Sequence, residues 1–526
     1  MDCIGSTSTP MKFTCHISSF STVQTAKPEP DTKKLWPMHR KPDEKSRAIS
    51  QQIIALGRDD KWKDILIFFK EQKQHFDADN HSIVMSHLGR IRHVRKDDPL
   101  VRGFLDDLSE QLHTGGIAWI GSTRAFATIV HAIAKMELNS NSSAMKIMQL
   151  VSHGETLEWL VDRGNALDLT HCIWACGKLE IESPTLFRVL DERAQWFVDK
   201  GTPHALANCV YACGKLGIES PNLFRLLDER AQWLVDKGTP QALENCVHAC
   251  GKLGIQLPNL FRLLDERAQW LVDKGTPQAL ANCVHVCGKL GIESPNLFRL
   301  LDKRAQWLVD KGTPQDVANC VYACGKVGIE LPNLFRVLDQ RAQWLVDNGT
   351  PQALANCAWA CGKLGFNPLN LFRLLDKRAQ WLAYTGNAQD VANCVWACGK
   401  LEIKSSNLFR KLDERAQWLV QNGTPQALAN CAWACGKLEI KSYHLFRLLD
   451  QRAKWLVDNG NPHAIANCVW ACGKLGIKSP NLFRLLDEHS EWLVENATQQ
   501  DIRVCVQACV KLGIEPPNLF RLHAPS

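Results

Sequence analysis

The segment GTPQALANCVHVCGKLGIESPNLFRLLDKRAQWLVDK, residues 275–311, has near-identical copies starting at 164, 201, 238, 312, 349, 386, 423 and 460, each 37 residues from the next. A tenth copy opens at Ala497 and stops in its second helix, and residues 121–163 read as a decayed copy, with AFATIVHAIAKME in place of ALANCVWACGKLG. A chain written this way does not close one core. Each unit is too short to bury its own apolar face and must stack on its neighbours.

The punctuation inside a unit predicts two helices. In Thr202-Pro203, Thr is placed as an N-cap and Pro at the first helical position, where a missing N–H costs nothing. Helix A then runs to about Leu216 and ends near Gly217. Ser220-Pro221 repeats the signal for a helix B that continues to Lys237, after which Gly238 is expected as a left-handed C-cap. The expected fold is therefore all-α, a right-handed superhelical α-solenoid of helix–turn–helix repeats in residues 164–526. A disordered segment (1–44), a helical region (45–120) and the degenerate repeat (121–163) precede it.

Turned by about 100° per residue, helix A has two faces. Counting from the unit's glycine, positions 6, 9, 10, 13 and 16 (Leu206, Cys209, Val210, Cys213, Leu216) form one face. Cysteines at positions 9 and 13 account for nearly all of the 22 in the chain. Two thiolates four residues apart on a helix suggest zinc, yet no His or Cys recurs on helix B to complete a site. A regular helix also keeps such a pair too far apart for a disulfide. Cysteine is instead expected as a small apolar residue in a tight seam, and so many free thiols fit a reducing compartment. No metal or other cofactor is called for. Helix B, with Leu223, Phe224, Leu227, Ala231 and Leu234 inward and Arg225/Glu229 as an i,i+4 pair, reads as structural.

The opposite face of helix A carries positions 4, 8, 11 and 15. Position 4 is mostly Gln. Position 8 is Asn208, Asn245, Asn282, Asn319, Asn356, Asn393, Asn430 and Asn467. Position 11 is Trp174, Tyr211, His248, His285, Tyr322, Trp359, Trp396, Trp433 and Trp470. Position 15 is always lysine: Lys178, Lys215, Lys252, Lys289, Lys326, Lys363, Lys400, Lys437, Lys474 and Lys511. Lysine neutralises phosphate, aromatic rings stack on bases, and amides bond base edges, so one such set per repeat suits a groove that follows a single RNA strand. The rings could equally pack between adjacent A helices, and the amides could bond neighbouring backbone. The net charge of +7 permits nucleic acid without demanding it, because charges nearly cancel within each unit.

No apolar run approaches the ~20 residues that span a membrane, and no phosphate loop, nucleophile elbow or carboxylate dyad stands out, so neither a membrane protein nor an enzyme is expected. The first 26 residues hold ten Ser or Thr, one acid and no arginine. That composition fits either an organellar transit peptide or a disordered tail.

The helix A core LANCVWACGKLG, preceded by SPNLFRLLDERAQWLVDKGTPQ, resembles the octotricopeptide repeat over about residues 121–526, specifically at the Asn, Trp, Lys and Leu-Gly positions. The period of 37 and the cysteines depart from that family's pattern. Residues 47–91, with ALGR and WKDILIFF, resemble a pentatricopeptide helical pair. Both resemblances imply single-stranded RNA binding in a mitochondrion or chloroplast, in transcript stabilisation, processing or translation, alongside other RNA-processing proteins. Otherwise a cytoplasmic location is expected. The rival expectation is a scaffold binding extended peptides on the concave face.

Overall fold

The computed structural model describes residue 36 and residues 43–152, 154–515 and 518–519. The transit-peptide reading lies outside them. Every regular element among the described residues is helical, and none is long and apolar enough to cross a membrane. The chain divides into two units, Met1–Leu260 and Phe261–Ser526.

The first unit opens with helices Glu44–Arg58, Trp62–Gln72, Ala78–Leu88 and Pro99–Ile120, the last bent where Gly116 takes φ +51°. His81 is buried here and meets Asp107 Oδ2 at 3.2 Å. A series of A helices follows: Thr123–Lys135, Ala166–Leu179, Pro203–Leu216 and Pro240–Leu253. The second unit continues the pattern with Pro277–Leu290, Pro314–Val327, Pro351–Leu364, Ala388–Lys400, Pro425–Leu438, Pro462–Leu475 and Gln499–Leu512. Within each unit, successive A helices lie side by side.

Helix A forms as its punctuation predicts. The Thr202 hydroxyl accepts from the Ala205 N–H at 3.2 Å, and Gly217 closes the helix at φ +68°, a conformation that costs glycine nothing. Gly214 has a different purpose. A Cβ there would stand 2.7 Å from Ala249 Cα, so glycine is what lets neighbouring A helices touch.

Three expectations for the rest of the repeat are corrected. Helix B is not continuous: it runs Pro221–Glu229, bends at Arg230 (φ −100°, ψ 14°) and resumes as a helix C, Ala231–Lys237. Arginine is a good helix former, so nothing local demands the bend. The bend puts the Arg230 guanidinium 3.0 Å from Asp199 of the preceding repeat while Leu227, Ala231 and Leu234 all stay buried. Arg304 does the same with Asp273 at 2.8 Å.

Gly238 is not left-handed either; it is extended (φ −85°, ψ −179°). A Cβ on Gly238 would crowd the Leu234 carbonyl oxygen as the backbone stands, although Ala497 holds the same position in the last copy with φ −93°.

Finally, Ser220 holds the N-cap position but its side chain caps nothing. The carboxylate of Asp191, one repeat earlier, does so instead, accepting from the Asn222 and Leu223 N–H groups at 2.9 and 3.2 Å and from Asn222 Nδ2 at 2.9 Å. Asp228 caps Leu260 in the same way, and Asp302, Asp339, Asp376 and Asp450 cap Leu334, Leu371, Leu408 and Leu482. Each of these B helices therefore starts on its neighbour's charge, which opposes the partial positive end of the helix.

Candidate nucleic-acid interface

The two faces of helix A separate as the periodicity predicts. Cys209, Val210 and Cys213 are fully buried, as are their counterparts along each unit apart from the half-buried Val506. Burial pushes the Cys209 thiol up to about 12 and the Cys287 thiol up to about 11, so these sulfurs are neutral packing groups. Among the described residues, no group of three His, Cys, Asp or Glu side chains could hold a metal ion. Some position-13 thiols also meet the serine before helix B, as Cys472 Sγ meets Ser479 Oγ at 3.4 Å.

Positions 4, 8, 11 and 15 face solvent to different degrees. The asparagines at position 8 are half-buried, and several are held from one turn earlier. Gln315 donates to Asn319 Oδ1 at 2.9 Å, Gln389 to Asn393 at 2.8 Å and Gln426 to Asn430 at 3.0 Å. These bonds orient each Asn with its Nδ2 donors left over. Gln241 holds Asn245 likewise in the first unit. Asn208, Asn282, Asn356 and Asn467 occupy the same half-buried site.

The position-11 rings lie against one another across repeats. In the first unit Tyr211 stacks on His248 with centroids 6.1 Å apart. In the second, His285 meets Tyr322 at 5.7 Å, Tyr322 meets Trp359 at 5.0 Å, Trp359 meets Trp396 at 6.4 Å, and Trp433 meets Trp470 at 6.3 Å. Trp396 is only 2% exposed. The rings thus form short ridges of two to four within each unit. Trp174 stands against His131, at 4.7 Å.

The lysines at position 15 flank these ridges. Lys326 Nζ lies 5.5 and 5.3 Å from the Tyr322 and Trp359 rings, and Lys400 Nζ lies 5.8 Å from both Trp396 and Trp433. Lys252, Lys289 and Lys363 are also exposed, while Lys511 reaches the Lys474 carbonyl at 3.4 Å. Four others pair with a carboxylate of the preceding repeat. Lys178 meets Glu137 at 2.7 Å, Lys215 Glu180 at 3.1 Å, Lys437 Glu402 at 2.9 Å and Lys474 Glu439 at 3.1 Å. The hydrogen bond from each lysine holds these glutamates below the ordinary carboxylate range at Glu137, Glu402 and Glu439.

The repeat pattern did not single out these glutamates, although they interrupt it at one position. They occupy the site of Gly217 and take φ values of +52° to +59°. A second group that sequence reasoning passed over is His131 with His171, stacked at 4.4 Å in the first unit. Burial pushes the His131 imidazole down to about 4, and His171 is lowered for the same reason. His131 takes the place of the position-11 ring in the decayed copy, so alignment of that copy carried the signal.

Stacked three-helix repeats with a polar, lysine-edged face on helix A define an all-α repeat protein of the solenoid class. Within that class, the chain belongs to the family of the RNA-editing substrate-binding complex 6 protein, whose family model matches residues 122–405 and 387–525. No curated protein matches the chain.

Proposed function

We propose that this protein binds single-stranded RNA along the solvent face of helix A, as a component of an RNA-editing assembly with protein partners. The observation that carries the reading is the repeated set on that face: an oriented Asn, a ring and a lysine in successive repeats, with Lys326 and Lys400 drawn over the rings. Lysines neutralise phosphates, while the Asn side-chain amides and the rings meet bases. The family's name, with its RNA-editing substrate, supports the same class of ligand, and the octotricopeptide-like pattern agrees with it. With one base per repeat, the face takes on the order of ten nucleotides. Binding rather than catalysis is the role assigned, in a mitochondrion or a chloroplast.

The test is binding of the full chain to a random single-stranded RNA pool under salt titration, beside a Lys326→Ala/Lys363→Ala/Lys400→Ala variant. Affinity should fall linearly in log[salt], and the variant's slope should drop by about 2, from about 0.7 per lost phosphate contact. A folded variant that binds as tightly and with the same slope would remove RNA from this face.

A further inference from the structure

Position 19 of the repeat lies in the turn between helices A and B, and it is where the copies of the second unit differ most in charge. The turn has one backbone form throughout. The N–H of the residue at position 18 donates to the carbonyl of the second helix A cysteine at 3.1 Å for Ile329–Cys324 and at 2.9 Å for Ile403–Cys398, Ile440–Cys435 and Ile477–Cys472. Position 19 is therefore presented alike in each copy, and it is exposed in each. Its identity runs Glu293, Glu330, Asn367, Lys404, Lys441, Lys478, Glu515.

Beside the three turn lysines stand Lys400, Lys437 and Lys474 from helix A, and the carboxylates at positions 15–19 of these copies are Glu402 and Glu439. Six ammonium groups thus meet two carboxylates. In the copies from 275 to 348, Lys289 and Lys326 are balanced by Glu293 and Glu330. The excess is local: Glu439 bonds Lys474 and also feels Lys404 and Lys511, so charges from successive repeats converge there.

Two further observations point outward. Glu402 and Glu439 accept left-handed backbone at φ +56° and +59°, where Gly291, Gly328 and Gly365 serve elsewhere without strain. For a non-glycine residue that costs roughly 1 kcal/mol, and strain of this kind marks places where a side chain is needed. Each of these glutamates fixes a helix A lysine at the edge of the turn. Moreover, Tyr443 lies two residues beyond Lys441, where most other copies have proline and two have Leu369 and Ser406, and it is 65% exposed. A bare ring beside a row of ammonium groups is the pairing that single-stranded nucleic acid uses, with backbone in a charged groove and a base on a platform.

We infer that the A–B turns of the copies at 386, 423 and 460 form the anchor of the RNA site: Lys404, Lys441 and Lys478 contact successive phosphodiesters, and Tyr443 stacks one base. The inference rests on the RNA reading above and adds where the strand is held most strongly. Helix A lysines line the path and the turn lysines clamp one end of it.

The full chain, a Lys404→Gln/Lys441→Gln/Lys478→Gln variant, Tyr443→Ser and the helix A triple variant would be titrated with a uridine-rich single-stranded RNA of about 20 nucleotides. Gln256 already occupies position 19 in another copy, so the glutamine variant keeps a side chain that the turn accepts. It should bind at least tenfold more weakly, with a salt slope lower by about 2. Tyr443→Ser should weaken binding by about tenfold with the slope unchanged, because stacking releases no counterions. If the glutamine variant keeps wild-type affinity and slope while the helix A variant loses both, the anchor is wrong and the RNA reading stands. If the wild-type chain itself does not bind, both fall.

Discussion

Single residues decide how charge is disposed on helix A, and His131 shows it in a form that pH can read. Its imidazole is stacked on His171 and buried enough that it takes a proton only near pH 4 rather than 6.5. Between those values the unfolded chain binds a proton that the folded chain refuses. Stability is therefore complete above about pH 6.5 and declines as pH falls toward 4. The loss expected from this residue is about 2 kcal/mol by pH 4.5, discounted because the ring keeps some contact with solvent. His131→Phe, which keeps the stack and cannot titrate, should flatten the fall in Tm between pH 7.5 and 4.5. An unchanged pH profile would show that the ring protonates freely in place. Lysine at position 15 is legible at this scale, because it recurs and no core takes it. Whether a given lysine is paired is not legible in the lysine itself, since the partner lies in the previous repeat's turn: Glu402 for Lys437, glycine for Lys363.

At the scale of helices, the ends of helix A were legible locally, whereas Gly238 was not left-handed as expected and what is set across a repeat boundary was not legible. Helix A begins and ends on its own residues, Thr202 and Gly217, and both signals are local. Helix B begins on Asp191 and bends where Arg230 reaches Asp199; each partner is about 30 residues away and neither leaves a mark beside the helix it governs. The Ser-Pro signal before helix B misled for the same reason, since it fits a self-capped start that the preceding carboxylate makes unnecessary. Two substitutions test this account. Asp376→Ala removes the acceptor for the Asn407 and Leu408 N–H groups, at 2.9 and 3.1 Å, and should cost about 1–2 kcal/mol by chemical denaturation. Ser405→Ala, which removes the formal N-cap side chain, should cost less than Asp376→Ala; the reverse order would return the cap to serine. Gly288→Ala should cost about 2–3 kcal/mol despite alanine's better helix propensity, because its Cβ would sit 2.6 Å from Ala323 Cα. Gly291→Ala, left-handed at φ +66° with open space around it, should cost only about 1 kcal/mol.

Over the whole molecule, every tie between repeats joins a position in one copy to a position in the next, so the chain should tolerate the loss of one complete copy. Removing residues 349–385 joins Asn348 to Gly386. Asp339, which caps Leu371, would then meet the equivalent N–H groups of Asn407 and Leu408. Gly325, now against Ala360, would meet Ala397, the same residue type at the same position. The ring ridge would pass from Tyr322 to Trp396. Stability in such arrays is a sum of repeat and interface contributions. The shortened chain should therefore unfold cooperatively at a somewhat lower denaturant midpoint, with its remaining helix A thiols still protected from alkylation. Its RNA footprint should shrink by about one nucleotide, since one recognition set goes with the copy. A deletion out of step with the 37-residue period, such as removal of residues 357–391, should behave differently. It would set Cys positions against the lysine face and leave the Asp caps without their N–H groups, and the thiols should become reactive. If both deletions expose thiols equally, the repeats are not interchangeable, and the second unit depends on contacts that differ from copy to copy.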